Sequence, residues 1–185
     1  MIALETLLDG PCCHMSELPG HPFDLGPGWQ TALAGGDPNW DDVVGRYVAS
    51  VDWPASSFYA ALSTEYPNAV VLLSTRGSVD QWLDSFEATV LKVARDAERA
   101  GWSDGRDLLD LIERFTGTSD PALWSSRAVL AAAYERHNQT VRDTIAPDRL
   151  VDWHPGDGWD AICEALAVRV PNEPFPWVNR REDWG

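Results

Sequence analysis

The residue that stands out for chemistry is Arg76. It follows a run of apolar residues at 69–73, then Ser74 and Thr75. Such a run predicts a buried strand. Gly77 allows a tight turn, and Ser78 can cap a following helix. Val79, Trp82, Leu83 and Phe86 then recur at helical spacing. Strand, short loop and helix form the unit of parallel α/β sheets, whose ligands bind outside the carboxyl ends of the strands. Arg76 stands at that end. Its five fixed donors suit phosphate oxygens. Ser85, on the same predicted helix, can share an anion with it. The competing role for Arg76 is a surface ion pair with Asp80.

Other candidates are scattered. His14 follows Gly10-Pro11 in a predicted loop and is either a general base or a hydrogen-bonded structural residue. Asp52 ends a second predicted strand on the ligand side. It can accept a proton from a hydroxyl, or cap the helix that begins after Pro54. His137-Asn138 lies late in a long predicted helix with Arg142 one turn on. This group contacts either neighbouring loops or substrate. Arg180-Arg181 either closes over an anion or is a solvated tail. Cys12-Cys13-His14 is a poor zinc site, because adjacent cysteines do not easily reach one ion. No Gly-rich loop ends in Lys-Ser or Lys-Thr, and no Gly-x-Ser-x-Gly elbow occurs.

The chain has 185 residues, of which 44% are hydrophobic and 23% charged, enough for one domain with a sizeable core. Its formal net charge of -15 repels nucleic acid and anionic membranes, so neither is an expected partner. Against that field a local arginine site for an anion is conspicuous. Three cysteines, an odd number, argue against a disulfide framework. With no apolar run of membrane-span length and no signal-peptide pattern, a reduced, cytoplasmic setting is expected. Ten tryptophans fill the core or line a cleft.

Further strands are expected at 48–51 and 149–153. Helices are expected at 2–8, 55–66, from Ser78 toward Ala100, at 106–115, from Asp120-Pro121 to about 145, and at 157–167. Residues 12–37 read mostly as loop. Short strands alternating with helices, with no repeat or linker, indicate one α/β domain over 1–185 with a small parallel sheet flanked by helices.

Five segments together resemble a known family. ALETLLDGPCCHMSE, VDWPASSFYAAL, YPNAVVLLSTRGSVDQWLDS, YERHNQTVRDTIAPDRLVDWHPGDGWDAICEAL and VPNEPFPWVN are similar to the bacterial and fungal branch of the P-loop sulfotransferases. They cover nearly the whole chain in the same order. The resemblance implies a P-loop NTPase-like three-layer α/β fold. It also implies 3'-phosphoadenosine 5'-phosphosulfate (PAPS) as co-substrate, no metal, and in-line transfer of the sulfonate to a hydroxyl or amine of a small acceptor. By position it makes Arg76 and Ser85 ligands of the nucleotide 3'-phosphate, with Arg180 and Arg181 a looser match. It puts His14 and Asp52 near the acceptor, either able to be the base. The aromatics between Phe23 and Tyr59 suit an apolar acceptor or the core.

One departure stands out. The family's Gly-x-x-Arg-Thr-Gly-Thr type loop, which holds the 5'-phosphosulfate, and the strand before it would precede the first helix, and both are missing. That helix also starts without a cap. The expectation is an N-terminally truncated domain with weak or absent transfer and reduced stability. The alternative function is a catalytically inactive nucleotide-binding or interaction protein of the same fold. The acceptor is open, and so is the oligomeric state, a homodimer among the options.

Overall fold

The computed structural model describes residues 1–99 and 106–176. It is a mixed α/β structure in which helices flank two small parallel sheets. Helix α1 (Ile2–Leu8) leads into strand β1 (Cys12–Cys13). Helices α2 (Pro27–Leu33) and α3 (Trp40–Val44) precede strand β2 (Ala49–Ser50) and helix α4 (Tyr59–Glu65). Strand β3 (Val71–Ser74) is followed by α5 (Val79–Ala88), α6 (Val90–Arg99) and α7 (Asp107–Thr116). Helix α8 (Arg127–Thr144), strand β4 (Leu150–Trp153) and helix α9 (Asp160–Leu166) complete the order.

The expected single sheet is instead two separate pairs. Strand β1 lies parallel to β2, with Cys12 opposite Ala49. Strand β3 lies parallel to β4, with Val71 opposite Leu150 and Ser74 opposite Trp153. Among the described residues no strand joins the pairs. Residues 12–13, read from sequence as loop, are a strand. Two residues are too few to show alternation, so the signal was missing there.

The long helix expected after Ser78 breaks at Thr89, whose backbone leaves the helical region (φ −114°, ψ −83°). Its expected end near Ala100 lies outside the described residues. Asp120-Pro121 opens only a turn. The helix proper starts at Ser126, whose hydroxyl accepts the N–H of Val129. Met1 caps α1 without a side-chain bond, as expected.

Helix α7 is shared by the two larger cores. Leu111, fully buried, joins Trp29, Trp40 and Phe58, while Ile112, also fully buried, joins Leu83, Phe86, Leu91 and Leu130. Trp29, Trp40 and Phe58 hold one another at centroid separations of 5.6 to 6.0 Å and expose 2 to 6% of their surface. These aromatics are therefore core and not an acceptor cleft. Buried Asp107 fastens α2 and the loop before α2 to α7: its Oδ2 accepts the N–H of Leu25 at 2.6 Å and a hydrogen from Nε2 of Gln30 at 3.1 Å. Under the second sheet, Leu73 packs on Val141 and Ile145, which fixes α8 against β3. Arg149 ties the start of β4 to the end of α4, donating to the carbonyls of Ser63, Tyr66 and Ala69. The three cysteines are free and buried. Burial pushes the Cys12 thiol up to about 11, which keeps it in the unreactive thiol form at neutral pH.

Candidate functional site

Parallel pairing puts the candidates where such sheets bind ligands. His14 directly follows β1, Asp52 follows β2 by two residues, and Arg76 follows β3 by two.

Arg76 lines a cavity of about 340 Å³ between the β3–α5 loop and one face of α8. The loop contributes Thr75, Arg76 and Ser78, and α5 contributes Val79. Helix α8 contributes Tyr134, Glu135, Asn138, Gln139 and Arg142, positions that share a face at helical spacing. The local fold follows from the sequence. Ser78 caps α5 by accepting the N–H of Gln81 at 3.2 Å, so the first turn of α5 starts in the cavity lining, where Ser78 and Val79 stand. Gly77 keeps an ordinary φ, so its turn does not rest on glycine's positive-φ freedom.

The Arg76 N–H donates to Tyr134 Oη at 3.1 Å, which locks the loop to α8. Its guanidinium has no ion pair among the described residues. Asp80, the partner weighed from sequence, pairs with Arg127, together with Asp84 and Glu87. Arg142, at the cavity's other end, is neutralised by Asp152, to whose Oδ2 its Nε donates at 2.7 Å. That bond holds the Arg142 guanidinium above its usual range. Among the described residues, the charges of the lining without an ion pair are thus Arg76 and the carboxylate of Glu135. Ser85 is not part of the lining; it lies seven residues beyond the cap, roughly 10 Å along the helix axis. Arg180 and Arg181 lie outside the described residues.

His14 and Asp52, offered by the sequence as alternatives, meet. His14 Nε2 is 3.4 Å from Asp52 Oδ2. His14 Nδ1 accepts the N–H of Ser16 at 3.1 Å and lies 2.8 Å from its hydroxyl. With Nδ1 accepting, the neutral ring carries its hydrogen on Nε2, facing the carboxylate. Asp52 has a positive φ of 62°, a strained position that Asp tolerates better than most residues. Its carboxylate does not cap the following turn; the backbone carbonyl does that work by accepting the N–H of Ser56 at 2.9 Å. The side chain instead faces His14 and is 59% exposed.

An aromatic array links the two places. Trp53, next to Asp52, meets Phe86 and Phe115 edge-on at 6.0 Å. Trp82 stacks on Phe86 at 4.8 Å and on Tyr134 at 4.6 Å. Tyr134 in turn holds the Arg76 backbone. His137, on the same helix, stands edge-on to Tyr59 at 5.6 Å, and burial holds its pKa below the usual value. In the sequence, hydrophobic spacing marked Trp82 only as a core position, and nothing marked Tyr134 as a partner of Arg76.

A family model described as a sulfotransferase domain matches residues 1–184. The chain belongs to this sulfotransferase domain family. Family membership fits the phosphate-suited arginine at a strand's carboxyl end. The domain is also similar to a curated protein described as Ava biosynthesis cluster protein M, from Aspergillus versicolor. The two are 31% identical over 153 residues, covering 76% of this chain and 57% of that protein. The chain therefore spans little more than half the length of that relative. Among its described residues, no helix is long and apolar enough to cross a membrane.

Proposed function

We propose that this domain binds PAPS and serves sulfonate transfer to a hydroxyl or amine of a small acceptor. The observation that carries the reading is the Arg76 guanidinium, without an ion pair among the described residues, in a cavity at the capped start of α5, in a chain of net charge -15. A cation with no ion pair among the described residues, beside hydroxyls with hydrogens to donate, fits a phosphate group. Arg76, Ser78 and the first amides of α5 would hold the 3'-phosphate. Ser85, further along the helix, and Arg180 and Arg181 remain proposed nucleotide ligands on the resemblance alone. PAPS, when bound, supplies the sulfonate and the leaving phosphate.

Asp52 is the proposed base and His14 its positioning residue. In the neutral ring, Nδ1 is already engaged by Ser16, and Nε2 carries a hydrogen toward Asp52. That leaves the carboxylate of Asp52 as the group with free lone pairs to take a proton. The proton passes from the acceptor oxygen or nitrogen to a carboxylate oxygen, while His14 restrains the carboxylate's orientation.

Calorimetry with adenosine 3',5'-bisphosphate, followed by incubation with PAPS and a panel of hydroxyl and amine acceptors, tests the reading. Nucleotide binding with sulfonated product supports it. Binding without turnover is the outcome expected of a catalytically inactive nucleotide-binding protein of this fold. No binding of either nucleotide overturns both.

A further inference from the structure

We propose that Asn138 and Thr75 are direct ligands of the phosphate taken by the Arg76 cavity, and that Asn138 sets the preference for a nucleotide bearing a 3'-phosphate. The inference rests on the nucleotide reading above and adds Thr75, which neither the sequence motifs nor the family resemblance assigns, and Asn138, which the sequence offered only as a contact to neighbouring loops or to substrate.

Thr75 and Asn138 expose only 6% and 8% of their surface. Neither side chain has a hydrogen-bond partner among the described residues. Yet no described side-chain nitrogen or oxygen is sealed away without a partner. The amide of Asn138 and the hydroxyl of Thr75 therefore open onto the cavity that both residues line. Both groups line the cavity with the Arg76 guanidinium, which has no ion pair among the described residues.

The donors converge from two elements. Tyr134 Oη accepts the Arg76 N–H, so its own hydrogen is free to donate. Ser78 Oγ accepts the Gln81 N–H and is likewise free to donate. Thr75 adds a hydroxyl and Asn138 an NH2 group. A phosphate monoester, with three terminal oxygens and close to two charges, matches a surplus of donors around one cation. Asn138 also sits in the interior of an 18-residue helix, where Asn is a weak helix former. Local preference and burial both disfavour it there, and such exceptions concentrate at functional sites.

The test is calorimetry on the 185-residue chain with two probes, adenosine 3',5'-bisphosphate and adenosine 5'-monophosphate. The unmodified protein is expected to prefer the bisphosphate. Asn138→Leu, close in size and apolar, is expected to weaken bisphosphate binding about 10- to 100-fold. It should leave the monophosphate unchanged and the melting temperature no lower. Thr75→Val should weaken the bisphosphate about tenfold. If Asn138→Leu fails to fold, Thr75→Val and Asn138→Ser decide in the same way: lost selectivity supports the assignment and retained selectivity overturns it. Unmodified protein that prefers the bisphosphate, with variants that bind it equally well, removes Asn138 and Thr75 from the site and leaves the nucleotide reading standing. Unmodified protein that binds neither probe overturns both.

Discussion

His14 Nε2 and Asp52 Oδ2 lie 3.4 Å apart, although the two residues follow different strands of the first sheet. Because Ser16 occupies Nδ1, the proposed reading gives different roles to two groups that the sequence offered as equals. In the transfer assay, Asp52→Asn is expected to lower kcat about 100-fold or more, the usual range for loss of a positioned base. His14→Gln should cost about tenfold or less. A pH–rate profile taken on both variants checks the assignment, and a His14 variant as impaired as the Asp52 variant makes the imidazole the base.

Arg76→Met should weaken adenosine 3',5'-bisphosphate about 10- to 150-fold, the loss of charge-assisted hydrogen bonds. Its melting temperature should stay where it was, since the guanidinium is exposed and makes no ion pair among the described residues. Calorimetry and thermal unfolding on one preparation separate these effects. Unchanged affinity would return Arg76 to the surface.

Asp107 tests the structural side. Its Oδ2 accepts the buried N–H of Leu25, so Asp107→Ala strands that donor. The expected loss is about 1–3 kcal/mol of unfolding free energy. Asp107→Asn keeps an acceptor oxygen and should lose less. Urea titrations of both variants give the comparison.

His137 gives a pH signature. Burial against Tyr59 and Phe115 lowers its folded pKa below the usual value near 6.5. As pH falls through 6.5, the unfolded chain takes up the proton before the fold does, so stability drops. The drop continues down to the folded pKa. His137→Phe, which keeps a ring in place, should flatten this stretch of the stability curve. Thermal melts between pH 7.5 and about 5 read it, and identical slopes would rule out His137 as the source.

The local unit around Arg76 was legible in the sequence because its causes are local. An apolar run makes β3, Ser78 supplies the cap, and Leu83 and Phe86 supply the buried stripe of α5. The same logic failed at β1, too short to show a period, and at Thr89, where the helical pattern runs on but the backbone does not. The sequence also left open whether Trp29, Trp40 and Phe58 line a cleft or a core. Hydrophobicity is the same in either place, and only packing against Leu111 assigns them to the core.

By itself, then, the sequence determined the alternation of strands and helices, the acidic background and the arginine at a strand's edge. Each depends on residues within a few positions of one another or on composition alone. Tertiary structure decided what stands beside that arginine. Tyr134 meets Arg76 across 58 positions, bringing Asn138 into the same cavity, and His14 meets Asp52 across the first sheet. Such contacts depend on how the packed core sets α8 against β3 and β1 against β2, and no local pattern records that packing.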